Sequence, residues 1–308
     1  MRHPAQFQRV LFFLLCVFVG SPVVLAQSSP SPDSNCGDIV TCDKLKELSG
    51  KKVYPKIIID DVSFDGPVSL PHAALEEIIE SLTTHAIDAD PKWLEVLEEV
   101  PIRGAWQDHG YFKAEASAKA IPHGGDATYQ HYSVIFHVNE GSLYWLGDIT
   151  FRSADPDERL VFSTDELRKL LSIHTGDLFI ADKIRKSLDA LKALYRSKGF
   201  IDFSPVPLTE VDDKRHLVSL DFVLDQRAQY RIGKITICGS NLEFEAEVNS
   251  RFASGEVFNS EPFEAFFQSH QAALGPHFFP ENIEIHRDIK AGTLAIKISL
   301  KNCRQSPN

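Results

Sequence analysis

Alternating apolar and polar residues, together with helical spacing, predict five elements in the middle of the chain. A half-buried strand at residues 144–152 precedes the sequence STDE at residues 163–166, which has the form of a capping box and begins a short helix. A longer helix starts near Ala181 and repeats apolar residues on one face. Two strands follow at residues 203–209 and 217–224. The predicted order is strand, helix, helix, strand, strand.

Proline and glycine refine this pattern. Pro205 and Pro207 place the fourth element at the edge of a sheet, because proline has no N–H to donate to a neighbouring strand. Gly199 follows the long helix, at a position where glycine accepts the left-handed conformation that ends many helices.

A repeat with a fixed offset of 86 residues organises the chain. Residues 134–151 match residues 220–237 without a gap, and the helix end Trp106-x-x-x-Gly110-Tyr111 has a counterpart in Tyr195-x-x-x-Gly199-Phe200. A period this long corresponds to a small domain, not to the solenoid unit of about 20–50 residues. The matched pairs of the first repeat are Phe136 and Phe222, Tyr144 and Tyr230, Gly147 and Gly233, and Ile149 and Ile235.

The repeat predicts three tandem domains in place of the two that chain length alone suggests. They span residues 55–141 (domain 1), 142–227 (domain 2) and 228–303 (domain 3), and a tail at 304–308 follows. Domain 3 is divergent, because it lacks the aromatic-x-x-x-Gly-aromatic helix end.

The first residues are typical of a secretory signal peptide. Arg2 and Arg9 precede an apolar run, and Ala26 offers a small residue for cleavage. Residues 1–26 are therefore expected to be removed. The alternative is an uncleaved anchor, although the apolar run is shorter than the roughly 20 residues that a spanning helix needs. Residues 27–54 predict a linker that contains a small loop between Cys36 and Cys42.

The strand motif and the helix end together resemble a POTRA domain. The strand motif is Tyr144-x-x-Gly147-x-Ile149, repeated as Tyr230-x-x-Gly233-x-Ile235, and the helix ends in Tyr195-x-x-x-Gly199-Phe200. POTRA domains occur in tandem on the periplasmic side of BamA-type outer-membrane assembly proteins. The resemblance implies an α+β fold of three tandem POTRA-like domains. Each would have the order β-α-α-β-β, with a three-stranded mixed sheet and two helices on one face.

One departure from that family concerns the end of the chain. BamA-type proteins continue into a membrane β-barrel, whereas this sequence reaches Asn308 without a run of alternating strands of about ten residues. We therefore expect an arm of the BamA type without its barrel.

The resemblance also implies a disulfide arrangement. In a POTRA-like sheet the first and third strands are parallel neighbours, so Cys238 and Cys303 would lie at the same end of the third sheet. A Cys238–Cys303 disulfide with a local Cys36–Cys42 disulfide follows from that placement, in an exported compartment where disulfides persist. The alternative is that Cys238 is a small buried apolar residue and Cys303 belongs to the tail.

Composition and motifs exclude several classes of function. The chain carries 32 basic and 43 acidic residues, for a formal net charge of -11, whereas non-specific nucleic-acid binding needs clustered positive charge. The sequence contains no metalloprotease motif, nucleophile elbow or phosphate-binding loop. We expect no enzymatic activity, no metal, no cofactor and no small-molecule substrate.

Two polar clusters permit a functional and a structural interpretation. The sequence HGGD at residues 123–126 resembles an active-site cluster, but its glycines favour a turn between two strands. Asp88, Asp90 and Glu95 suggest a cation site, but Asp90 followed by Pro91 favours the start of a helix, which we expect to break near Pro101.

A basic cluster on the long helix suggests contact with anionic lipid, and hence peripheral membrane association, or with an acidic partner. A solvated helix face is the simpler interpretation. Its members are Lys183, Arg185, Lys186, Lys192, Arg196 and Lys198.

The resemblance implies an exported periplasmic scaffold that engages outer-membrane proteins or their assembly machinery. Binding would occur by strand addition, in which an extended client segment pairs with an exposed sheet edge. The strand with two prolines is a poor edge, so the candidate edges lie at residues 111–120 and 283–286. The alternative is a purely structural spacer of an envelope complex that binds no client. The candidate binding residues are Tyr111, Lys113, Ile283 and Ile285.

Overall fold

A computed structural model describes residues 55–66, 68–88, 90–240, 242–270 and 282–300. The chain divides into two compact units, of which one ends at Ser142 and the other begins at Leu143. The first unit holds the elements of domain 1, and the second holds those of domains 2 and 3. The described residues form three mixed sheets, one for each predicted domain, which confirms the tandem α+β fold.

Domain 1 has a four-stranded sheet, one strand more than predicted. Its elements are β1 (Lys56–Asp65), α1 (His72–Thr84), β2 (Ile87–Asp88), α2 (Trp93–Leu97), a π-helical segment (Glu98–Ile102), α3 (Arg103–Gln107), β3 (Glu115–Gly125) and β4 (Tyr129–Asn139). The sheet order is β2-β1-β4-β3, with β1 parallel to β4 and β3 antiparallel to it. The additional strand β2 pairs with the start of β1.

Three local predictions in domain 1 differ in detail from the structure. Pro101 does not break the helix, because it lies in the π-helical segment, whose wider turn accommodates a residue without an N–H. The Asp90 carboxylate accepts a hydrogen bond from the N–H of Lys92 at 2.7 Å, as the predicted cap would, but α2 itself begins at Trp93. Strand β3 continues through Gly125, so the predicted turn is confined to residues 126–128.

Domain 2 follows the predicted element order. Its elements are β5 (Trp145–Ser153), α4 (Thr164–Leu170), α5 (Ala181–Ser197), β6 (Ser204–Asp212) and β7 (Leu217–Asp225). The sheet order is β5-β7-β6, with β5 parallel and β6 antiparallel to β7. The predicted capping box is present, since Ser163 and Glu166 exchange both of its hydrogen bonds. Strand β6 lies at an edge, as its prolines predict.

Tyr195 explains the aromatic residue of the helix-end motif. Its fully buried ring stacks on Phe203 with the ring centroids 3.8 Å apart. Its hydroxyl donates to the side-chain oxygen of buried Gln226 at 3.0 Å, and the same oxygen accepts from the N–H of Val161. Burial and the nearby charge of Glu158 raise the pKa of Tyr195 to about 12. The ring therefore fills the core while its hydroxyl satisfies a buried amide.

Domain 3 repeats this architecture around an aromatic core. Its elements are β8 (Arg231–Cys238), α6 (Leu242–Arg251), α7 (Ser260–Ser269), β9 (Ile283–Asp288) and β10 (Thr293–Ser299). The sheet order is β8-β10-β9, with β8 parallel and β9 antiparallel to β10. The buried aromatic residues of this core are Tyr230, Phe252, Phe258, Phe263, Phe266 and Phe267.

The glycine of the strand motif lies at a β-bulge in domains 2 and 3. The pairing register shifts between Leu146 and Ile149 in β5, and β8 has a corresponding irregularity beside Gly233. A Cβ atom on Gly233 would lie 2.8 Å from the carbonyl oxygen of Leu294 in the neighbouring strand. Glycine is required there because the two backbones approach so closely.

We predict that Gly233→Ala destabilises domain 3 by about 1–3 kcal/mol, because one of the two strands must shift to admit the methyl group. The matched control is Gly104→Ala, where a Cβ atom meets nothing within 4 Å and helix propensity favours alanine. Urea unfolding of both variants measures the difference. Equal stability of the two variants would contradict the bulge as the reason for this glycine.

The cysteine pairings stay predictions, because Cys36, Cys42 and Cys303 lie outside the described residues, as do the expected signal peptide and linker. The register supports the proposed placement. Cys238 pairs with Ser299, and its carbonyl accepts a hydrogen bond from the N–H of Leu300 at 2.9 Å. Leu300, which is three residues before Cys303 in sequence, therefore lies next to Cys238.

We predict that peptide mapping of the oxidised protein recovers Cys238 linked to Cys303. Closing this loop of about 65 residues contributes roughly 4 kcal/mol to the stability of domain 3, which reduction removes. Recovery of Cys238 joined to Cys36 or Cys42 would contradict the pairing. The variant Cys303→Ser is the control, since it should unfold like the reduced protein and respond no further to reductant.

Candidate binding edges

One edge of each sheet is covered by the chain itself. In domain 2 the N–H of Phe179 donates to the carbonyl of Tyr144 at 2.8 Å, and in domain 3 the N–H of Ile232 donates to the carbonyl of Glu256 at 2.8 Å. In domain 1 the short strand β2 takes this position beside β1. The opposite edges, formed by β3, β6 and β9, are the candidates for pairing with another chain.

Hydrogen bonds of the central strand decide which backbone groups of β9 point outward. The N–H of Leu300, which follows β10, donates to the carbonyl of Cys238, so even-numbered residues of β10 face β8. The odd-numbered residues face β9 and pair there with its even-numbered residues. The backbone N–H and C=O groups that point away from the sheet are therefore those of Ile283, Ile285 and Arg287.

The same alternation shows that the edge of β6 lacks donors. The carbonyl of Leu224 accepts from the N–H of Ala154, which places the even-numbered residues of β7 toward β5. The odd-numbered residues of β7 bond to the even-numbered residues of β6. The outward residues of β6 are Pro205, Pro207, Thr209 and Val211, and two of these four have no N–H.

The edge of β3 is interrupted by a side chain. Its outward residues are Ala116, Ala118, Ala120 and Pro122, by the register with β4. The N–H of Ala118 donates to Oε1 of Glu98 at 2.7 Å, and Glu98 belongs to the π-helical segment. A carboxylate therefore occupies the middle of this edge, and Pro122 removes a donor from one end.

Tyr111 and Lys113 do not belong to an edge strand, so their assignment to one is wrong. Strand β3 begins at Glu115, and both residues lie in the connection that precedes it. The N–H of Tyr111 bonds back to the carbonyl of Trp106 at 3.1 Å, after Gly110 in a left-handed conformation with φ of 97°. The aromatic-x-x-x-Gly-aromatic motif thus ends a helix, and the strand cannot begin within it.

Each of the three outward residues of β9 has a backbone N–H, because none of them is a proline. Beyond the ladder with β10, the hydrogen bonds of β9 in the described part of the chain come from its side chains. The side chains of Ile283 and Ile285 pack against the core of domain 3, while their backbone groups face the open edge. The two candidate residues of domain 3 therefore offer the main chain for binding, and their side chains hold the strand in place.

Paired charges cover the exposed sheet face beside β9. Lys297 of β10 donates to Oε1 of Glu284 at 3.2 Å, and the imidazole of His286 lies 3.6 Å from the same carboxylate. The hydrogen bond from Lys297 and its charge are the main causes that hold the pKa of Glu284 below its usual value. This carboxylate stays ionised and paired near neutral pH, so the edge presents neither an unpaired acid nor an unpaired base at this point.

The other sequence candidates form no site in the described ranges. No group of three or more His, Cys, Asp or Glu side chains there could hold a metal ion. Within the same ranges, no helix combines the length and the apolar character needed to cross a membrane. Part of the basic cluster on α5 is paired along its own helix, where Lys186 lies 2.7 Å from Asp182 and Lys192 lies 3.5 Å from Asp189.

Two motif residues that sequence reasoning treated separately meet at one point. The N–H of Tyr230 donates to the carbonyl of Gly199 at 2.9 Å. Gly199 has a φ of 85°, and a Cβ atom there would lie 2.6 Å from the carbonyl oxygen of Tyr230. The helix end of domain 2 therefore contacts the first strand of domain 3. Both residues recur in the repeat, but only their contact shows that they join two domains.

We predict that Glu98→Ala speeds amide hydrogen exchange at Ala118 by roughly tenfold, because this N–H loses a charge-assisted acceptor. The control is Glu99→Ala, whose carboxylate instead pairs with Arg103 at 2.6 Å. Exchange measured by NMR on both variants tests the role of Glu98. Unchanged exchange at Ala118 in Glu98→Ala would show that the carboxylate does not protect this edge.

Three comparisons with known proteins agree with this architecture. The family model described as "POTRA: Surface antigen variable number repeat" matches residues 146–227, which lie in domain 2. A protein of Treponema pallidum (strain Nichols), described as "Putative outer membrane protein assembly factor", is 26% identical over 221 residues, or 66% of this chain. The chain spans about a quarter of that relative's length, since the match covers 25% of it.

The crystal structure of POTRA domains 3 to 5 of Haemophilus influenzae BamA is similar in fold. It matches with a TM-score of 0.55 and 20% identity, and the match covers 80% of this chain and 96% of that one.

Proposed function

We propose that this chain, a POTRA-domain protein that resembles the periplasmic domains of BamA-type proteins, binds extended segments of outer-membrane proteins or of their assembly machinery. Binding occurs by strand addition at β9. The Treponema relative named as an assembly factor and the BamA fold support a role in outer-membrane protein assembly. The predicted signal peptide supports a location in the periplasm, at or near the outer membrane.

One observation carries the choice of β9 over the other edges. Its outward residues Ile283, Ile285 and Arg287 all keep their N–H groups, whereas the edges of β3 and β6 are interrupted. A partner strand paired with three alternate residues gains up to six main-chain hydrogen bonds. Main-chain pairing supplies affinity with little demand on partner sequence.

A structural spacer remains the second candidate, and the contact between Gly199 and Tyr230 favours it. A backbone hydrogen bond between consecutive domains, with no room for a side chain on Gly199, holds domains 2 and 3 together. A fixed joint of this kind is what a spacer of set length requires. Peptide binding at β9 decides between the two.

We predict that Ile285→Pro weakens binding of an alternating apolar and polar ten-residue peptide at least about fivefold. Proline removes the central outward N–H and projects its ring toward the incoming strand, but it removes no bond to β10. Pro205 and Pro207 occupy equivalent outward positions in β6, so the substitution is compatible with this kind of strand. Isothermal titration of the mature protein measures the affinity.

Ile285→Val is the matched control, because it keeps the N–H and trims the packed side chain. A second control uses two N-methylated forms of the peptide. One form is methylated on the alternate amides that face one edge of the extended peptide, and the other on the amides that face the opposite edge. Only one of them should lose binding, since a strand pairs through one edge. Equal binding by Ile285→Pro and Ile285→Val would rule out β9, and no binding by the wild-type protein would leave the spacer as the function.

A further inference from the structure

Asp202 lies between two partners in domain 3, although it belongs to domain 2. One of its carboxylate oxygens accepts from the hydroxyl of Tyr230 at 3.1 Å, and the other accepts from Nε of Arg287 at 3.0 Å. Tyr230 precedes the first strand of domain 3, and Arg287 lies on β9, its edge strand. A single carboxylate therefore holds both sides of the third sheet to domain 2.

Other contacts bring Asp202 into this position. The carbonyl of Lys198 accepts from the side-chain amide of Gln229 at 2.8 Å, next to the bond between Gly199 and Tyr230. Ile201 packs against the core of domain 3. The segment after α5 thus forms one continuous contact with domain 3, and Asp202 is its polar end.

The electrostatics of Tyr230 agree with this geometry. Burial is the largest cause that raises the pKa of its hydroxyl, and the hydrogen bond and charge of Asp202 add to it, while the charge of Arg287 lowers it. Tyr230 is 1% exposed, so its ring is fixed in the core while its hydroxyl reaches Asp202.

Arg287 connects this contact to the proposed binding edge. Its guanidinium donates a hydrogen bond to Asp202. Its backbone N–H and C=O are among the groups of β9 that point away from the sheet. An incoming strand that pairs with the backbone of Arg287 meets a residue whose side chain is already held by domain 2. The conformation of the β9 edge and the contact between domains 2 and 3 therefore both depend on Arg287.

We infer that Asp202 is a positioning residue that couples strand binding at β9 to the fixed orientation of domains 2 and 3. The inference rests on the proposed function, because it concerns the same edge. Loss of the carboxylate frees the Arg287 side chain and the domain joint together, and a bound strand tightens both. Coupling of this kind is reciprocal, so a strand bound at β9 also stabilises the joint.

The test compares Asp202→Asn with Asp221→Asn in the full mature chain. Asp221 is a matched control because its carboxylate also accepts from an arginine Nε and a hydroxyl, those of Arg152 at 2.7 Å and Thr150 at 2.8 Å, but wholly within domain 2. Residual dipolar couplings report whether domains 2 and 3 share one alignment tensor. Titration with the ten-residue peptide reports binding at β9.

We expect one shared tensor for the wild-type protein and for Asp221→Asn, and two tensors for Asp202→Asn. Peptide affinity of Asp202→Asn should fall about two- to fivefold, the range for a half-exposed ion pair. The pKa of Tyr230 in the same variant should move down toward its ordinary value, because the hydroxyl loses the hydrogen bond and the charge of Asp202. Saturating peptide should restore a single tensor.

Two results would overturn the inference. A single shared tensor in Asp202→Asn would show that this carboxylate does not fix the joint. An unchanged affinity beside two tensors would show that joint and edge are independent. Failure of the proposed function is separate, because a wild-type protein that binds no peptide still reveals through its tensors whether Asp202 fixes the joint.

Discussion

The pairing of backbone N–H and C=O groups at sheet edges is the constraint on which the proposed binding site depends. Each of the three sheets has one edge strand that no other strand of the described residues covers, and an unpaired edge is a template for pairing with another chain. This protein meets the constraint differently in each domain. Domain 1 places the Glu98 carboxylate against Ala118, and domain 2 places Pro205 and Pro207 outward. Domain 3 leaves the outward groups of β9 without such protection in the described residues.

The fold was predictable from the sequence because local signals agreed with one another. The capping box at Ser163, the helix end at Gly199 and the prolines of β6 each act within a few residues, and all three lie as predicted. The repeat then extended the element order to the neighbouring domains. The confirmed parts of the prediction are therefore those that short-range geometry controls.

The candidate site was only partly predictable, because long-range contacts define it. Glu98 and Ala118 are 20 residues apart, and no pattern in either segment indicates their bond. Asp202 and Arg287 are 85 residues apart. Tyr111 was misassigned because apolar alternation continues from the helix end into β3, whereas the motif that contains Tyr111 closes a helix. Ile283 and Ile285 were placed correctly on an edge strand, but only the register shows that their backbone groups face outward.

The most direct test of the account is amide hydrogen exchange on β9 with and without the ten-residue peptide. If the strand binds there, exchange at Ile283, Ile285 and Arg287 slows strongly, because these three outward N–H groups gain acceptors. Exchange at Glu284 and His286, which already bond to β10, changes little. Protection that appears instead on β3 or β6, or equal slowing along all of β9, would contradict the central claim.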